Sequence, residues 1–153
     1  MNKEIRQLHS TLIDLVSMMN RPRRDSLVIH EAGISIDRAL FPLLVLVERK
    51  GPIGVVDLAD MVGRDYTTIS RQLAKLERLG LIRRNSSKAD KRVREAVITA
   101  KGRVMTDALD AARERIAGRL LARWSKKDLQ DLARVMRRLA DDLVVRNAGP
   151  DKR

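Results

Sequence analysis

Between Val55 and Leu81 two stretches of helical periodicity stand only three residues apart, separated by Gly63-Arg64-Asp65. In the first, about Val55 to Met61, the residues Val55, Leu58, Ala59 and Val62 turn toward one side. In the second, Tyr66 to Leu79, Ile69, Leu73, Leu76 and Leu79 do the same, with Asp65 placed to cap its start and Gly80 to stop its end. A connection this short leaves two helices little freedom except to cross at a steep angle over a shared core, the arrangement of a helix-turn-helix.

The flanking segments extend that unit. A helix is predicted from Asp37 to Arg49, ending at Gly51-Pro52, with Pro42 forcing either a kink or a late start. After Gly80, Leu81–Arg84 and Val93–Thr99 read as two short strands around the polar loop 85–92. A long helix follows from Lys101 to about Arg123, with Thr99 as candidate cap. In the last helix Ser125 and Asp128 have capping-box spacing, and Trp124 and Leu129 occupy the staple positions. At the N-terminus Ile5, Leu8, Leu12, Leu15 and Met19 form one stripe, ending at the connector Asn20-Arg21-Pro22-Arg23-Arg24. From Asn147 the tail is expected to fray. The expected fold is mainly α with a small β-hairpin wing. Residues 1–34 supply an N-terminal helix and connector, 35–100 a winged helix-turn-helix lobe and 101–153 the C-terminal helices, all in one folding unit.

Charge points to the partner. The net charge is +12, and residues 51–103 alone hold twelve basic against six acidic residues. Between positions 83 and 94 stand Arg83, Arg84, Lys88, Lys91, Arg92 and Arg94, with Asp90 the sole acid. A solvated charge run mixes signs, whereas this excess suits a polyanion. Phe41, Tyr66 and Trp124 are the whole aromatic complement, too few for a protein that stacks unpaired bases, so duplex DNA is favoured.

On the second helix of the pair, with Ile69 and Leu73 turned inward, Thr67, Thr68, Ser70, Arg71 and Gln72 fall on the outer sides, and all can hydrogen-bond. A helix of this kind enters the major groove with its N-terminal residues toward the base edges. Arg71 can grip guanine O6 and N7 with two bonds. Taken alone, such a polar face is also what any surface helix presents; the adjoining basic hairpin tips the balance.

In helix order the chain resembles the MarR family of winged helix-turn-helix regulators. The resemblance is sharpest in YTTISRQLAKLERLGLIRR and in KADKRVREAVITAKG, which contains a D-x-R wing tip as Asp90 and Arg92. It implies that Arg92 enters the minor groove, oriented by Asp90, with Lys88, Lys91 and Arg94 beside it on the wing. It also implies a homodimer built from the terminal helices. That gives a destination to Ile5, Leu8 and Leu12 and to the last helix's seam of Leu129, Leu132, Met136, Leu139 and Leu143, which repeats at three and four residues. Burial within the monomer is the alternative for both stripes. Many members of such a family release DNA when a small aromatic acid or phenol enters a crevice between the dimerisation helices and the DNA-binding lobe. Met19, Arg21, Arg23, Arg24 and His30 are candidate linings, though a basic connector is more commonly just solvated.

Other classes find less support. His9 and His30 are the only histidines, and no carboxylate pair or phosphate-binding glycine loop accompanies them, so no catalytic residues, metal site or cofactor are expected. Cysteine is absent, which removes any thiol switch. No apolar run is long enough to span a bilayer, and the expected location is the cytoplasm. The rival reading is an architectural DNA binder indifferent to sequence. Such a protein inserts apolar wedges between base steps, and the loop 85–92 carries none. A site-specific regulator, with repression as the default outcome, is the stronger expectation.

Overall fold

The computed structural model describes residues 2–147. The expected frayed tail therefore lies, beyond Asn147, outside the described residues. In chain order the elements are α1 (Lys3–Met19), α2 (Pro22–Ala32), α3 (Phe41–Lys50), β1 (Ile53–Gly54), α4 (Val55–Val62), α5 (Tyr66–Arg78), β2 (Ile82–Ser86), β3 (Arg94–Ile98), α6 (Ala100–Leu120) and α7 (Lys126–Asn147). The fold is mainly helical with a small three-stranded antiparallel sheet, ordered β1-β3-β2. Two compact units divide it, Met1–Arg115 and Ile116–Arg153, the division falling within α6.

Three expectations need correction. The connector after Asn20 is mostly helix: Pro22 opens α2 at a position where its missing N–H costs nothing and its fixed φ suits the first turn. The helix expected from Asp37 begins only at Phe41, because Pro42 again sits in a first turn. Its alternative outcome, a late start, is the one realised. Residues 37–40 instead form a turn in which Asp37 Oδ1 accepts the Ala39 N–H at 2.9 Å. The wing is joined by a third strand, β1, whose two residues pair Ile53 with Ala96 and Gly54 with Glu95.

The core of the first unit is aliphatic. Leu40, Leu43, Leu44 and Val47 from the start and body of α3 meet Leu58 and Ala59 of α4, Ile69, Leu73 and Leu76 of α5, and Leu81, Ile82 and Ala96 of the sheet region. Leu79, expected inside, is exposed, because α5 ends before it with Gly80 at φ 71° and the chain turns away. The Gly80 N–H donates to Glu77 O and the Leu81 N–H to Leu76 O, the paired bonds of a Schellman stop, and Leu81 is buried. In the first half of α6, Gly102, Thr106, Leu109 and Ala112 are buried. A Cβ on Gly102 would strike the Leu81 carbonyl oxygen and lie 2.6 Å from Ile98 Cδ1, so only glycine permits this approach.

In the second unit, α7 begins as the capping box predicts. The Ser125 N–H donates to Asp128 Oδ2 at 3.2 Å and the Asp128 N–H to Ser125 Oγ at 3.1 Å.

Candidate nucleic-acid interface

The helix expected to enter the major groove is α5, and its first turn is fixed by one carboxylate. Asp65 Oδ1 accepts the Thr68 N–H at 2.8 Å, and Oδ2 accepts the Thr68 hydroxyl at 2.6 Å. Those two bonds, the hydroxyl's foremost, hold the Asp65 carboxyl below the usual carboxylate range. Ile69, Leu73 and Leu76 bury one side of the helix. The opposite side presents Thr67 and Arg71, both exposed, while Thr68, Ser70 and Gln72 on the two flanks are half-buried. Of the five residues expected to face the groove, two therefore form its outward centre and three its shoulders.

The wing grows from β2 and β3, paired from Ile82 with Ile98 to Ser86 with Arg94. Its loop is closed by the Ser87 N–H donating to Val93 O at 2.8 Å and the Val93 N–H to Asp90 O at 2.9 Å. Ser87 is buried and accepts the Ala89 N–H on its hydroxyl. At the tip Asp90 Oδ1 accepts both the Arg92 N–H, at 3.0 Å, and its Nε–H, at 3.3 Å, with Arg92 Nη2 3.4 Å from Oδ2. The Arg92 amide, then its guanidinium, hold the Asp90 carboxyl below its ordinary range. The Arg92 side chain is nonetheless 91% exposed, so a fixed guanidinium projects into solvent. Lys88 and Lys91 are exposed beside it. Arg94 differs: its Nη2 donates to Arg84 O at 3.0 Å, bracing the hairpin.

Two residues at this site escaped the sequence reading. Arg84, seen there only as one charge of a basic run, reaches out of β2 and donates from Nη2 to Ser70 O at 2.9 Å, tying the wing to α5. Tyr66, at the first position of α5, is exposed and lines a cleft of about 530 Å³ together with Val56, Arg84, Arg92 and Arg94. Its place directly before Thr67 was the available signal.

The two terminal stripes can be placed separately. On α1, Ile5 and Leu8 are exposed and Leu12 half-buried; no residue of that helix is buried. On α7, Leu132, Met136 and Leu143 are exposed, and Leu129 and Leu139 half-buried. Met19, Arg21, Arg23, Arg24 and His30 are all exposed. Among the described residues no helix is long and apolar enough to cross a membrane, and no group of three or more His, Cys, Asp or Glu could hold a metal ion.

A short helix pair, a braced recognition helix and a basic two-stranded wing define a winged helix-turn-helix DNA-binding protein. Residues 36–93 match the profile of the MarR family. The chain is 30% identical over 105 residues to the uncharacterized HTH-type transcriptional regulator YxaD of Bacillus subtilis, covering 69% of this chain and 73% of that protein. It is 26% identical over 113 residues to YdgJ, an uncharacterized HTH-type transcriptional regulator of the same organism, covering 74% and 69%. Among solved structures, a MarR family protein from Bacillus stearothermophilus superposes with a TM-score of 0.72 at 18% identity, covering 94% of this chain and 99% of that one. The crystal structure of MarR gives a TM-score of 0.67 at 25% identity, covering 87% and 97%. This protein belongs to the MarR family of DNA-binding transcriptional regulators.

Proposed function

We propose that the protein is a cytoplasmic homodimeric repressor that binds a pseudo-palindromic operator. Thr67 and Arg71 face the bases of the major groove, with Thr68, Ser70 and Gln72 at its edges, while Lys88, Lys91, Arg92 and Arg94 meet the flanking minor groove and its phosphates. The observation that carries this reading is the wing tip, where Asp90 holds Arg92 in one orientation yet leaves it almost wholly exposed. An arginine fixed in that way loses little freedom on entering a narrow, strongly negative minor groove. Ile5, Leu8 and Leu12 on α1 and Leu129, Leu132, Met136, Leu139 and Leu143 on α7 supply apolar surface for a second copy. Half-site centres then lie about one helical turn of DNA apart.

Selection of purified protein against random duplexes at two salt concentrations tests it. A two-fold symmetric motif that survives the higher salt supports the reading. Retention without a motif, collapsing as salt rises, would mean a sequence-indifferent architectural binder. Arg92→Ala should weaken binding to all duplexes alike, whereas Arg71→Ala should change the recovered motif. Repeating the selection with a small aromatic acid present reads out an effector as loss of the retained motif.

A further inference from the structure

A helix lying in a major groove has a sugar-phosphate backbone on either side of it. The wing accounts for one side. Around α5, Ser70 and Glu77 face the wing, since Arg84 donates to Ser70 O and its Nε lies 3.7 Å from the Glu77 carboxylate. At about 100° per residue, Gln72 stands roughly 200° away from Ser70, on the opposite flank. Lys75 marks the same flank, where its Nζ lies 2.9 Å from Asp37 Oδ2 in the turn before α3. Gln72 there lines a cleft of about 520 Å³ with Arg38, Arg64, Asn20 and Pro22.

The charges on this flank are unevenly answered. Lys75 is neutralised by Asp37, whose carboxyl is held low mainly by that hydrogen bond. Arg38 and Arg64 are exposed, and among the described residues neither makes an ion pair, whereas Arg49, Arg92, Arg103 and Arg115 all do. Asp25 and Asp37 line the same cleft, but Asp37 is engaged chiefly by Lys75, with Arg38 a lesser contributor, so Asp25 is the one other acid facing the two arginines among the described residues there.

We infer that Arg38 and Arg64 form a second backbone clamp, gripping DNA phosphates on the side of the recognition helix away from the wing. The inference rests on the DNA reading of α5. The clamp is indifferent to sequence: it adds affinity and fixes how α5 is seated, while leaving base choice to Thr67 and Arg71.

The test is a salt titration of full-length protein on a duplex recovered from the random pool, combined with duplexes carrying single methylphosphonate linkages. Removing one arginine–phosphate pair should flatten the slope of log affinity against log salt by about 0.9, so the affinity drop between 50 and 200 mM shrinks by about threefold for each pair removed. Arg38→Ala and Arg64→Ala should flatten it, Arg38→Lys should restore it, and the recovered motif should not change. Phosphates whose neutralisation no longer matters in Arg64→Ala should lie across the major groove from those silenced in Arg92→Ala. Unchanged slopes in folded Arg38→Ala and Arg64→Ala proteins, with wild type binding normally, would overturn the clamp alone. A wild type that binds no duplex would overturn the DNA reading and the clamp with it.

Discussion

Arg84 spans from the wing to the backbone of the recognition helix, its Nη2 donating to the Ser70 carbonyl at 2.9 Å, and its own carbonyl accepts from Arg94 at 3.0 Å. One residue thereby couples the wing to α5, the two elements proposed to meet DNA. Its side chain is 17% exposed, so water competes poorly for these bonds. Arg84→Ala should cost about 1–2 kcal/mol in urea unfolding, since a charged, half-buried donor is removed. It should also speed hydrogen exchange at the wing amides of Ser87 and Val93. Wild-type exchange in the variant would mean that the sheet alone holds the wing.

The cap at Asp65 has a pH signature. Its carboxyl is held low by Thr68, so the stabilisation is present above the ordinary carboxylate range and disappears as pH falls through the lowered value. Asp65→Ala should lower the thermal midpoint by roughly 2–4 °C near neutrality, the scale expected for a lost N-cap. That gap between variant and wild type should close in acid. A gap independent of pH would show that the charge of Asp65 plays no part.

Two glycines of α6 should respond with opposite signs. At Gly118 a Cβ would find nothing within 4 Å, so Gly118→Ala should stabilise by up to about 1 kcal/mol through helix propensity. At Gly102 the same change meets the Leu81 carbonyl and Ile98, and should destabilise by about 1–3 kcal/mol. Denaturant midpoints of the two variants, measured side by side, decide it.

Leu8 is 47% exposed on α1 and Met136 47% exposed on α7. If a second copy covers these stripes, Leu8→Glu and Met136→Glu should each convert a two-chain species to a single chain in sedimentation while leaving helix content unchanged. A wild type that already sediments as one chain would remove the dimer from the proposed mechanism.

What could be read from the sequence was what local rules encode. Asp65, Gly63 and Gly80 mark the ends of α4 and α5 because capping and left-handed stops involve only neighbouring residues. The Ser125–Asp128 box and the Thr99 cap, which accepts the Gly102 N–H at 3.0 Å, were legible for the same reason. Proline misled twice. Read as a breaker, Pro22 concealed α2, and Pro42 left the start of α3 open, although both stand where proline begins a helix. The strand β1 is two residues long, too short for any period to show. The tethers from Arg84 and Arg94 connect elements that only the folded chain brings together. In the sequence they are indistinguishable from the other charges of the run.

Thr99 lies where four segments converge. Its hydroxyl is 2.7 Å from Gly80 O and 3.0 Å from Leu81 O, and it accepts the Gly102 N–H, while Lys101 Nζ reaches Leu79 O at 2.9 Å. The end of the recognition helix, both wing strands and the root of α6 thus share a single pivot. One hydroxyl works as a keystone, joining the stop of α5 to the first turn of α6 through the same oxygen atom.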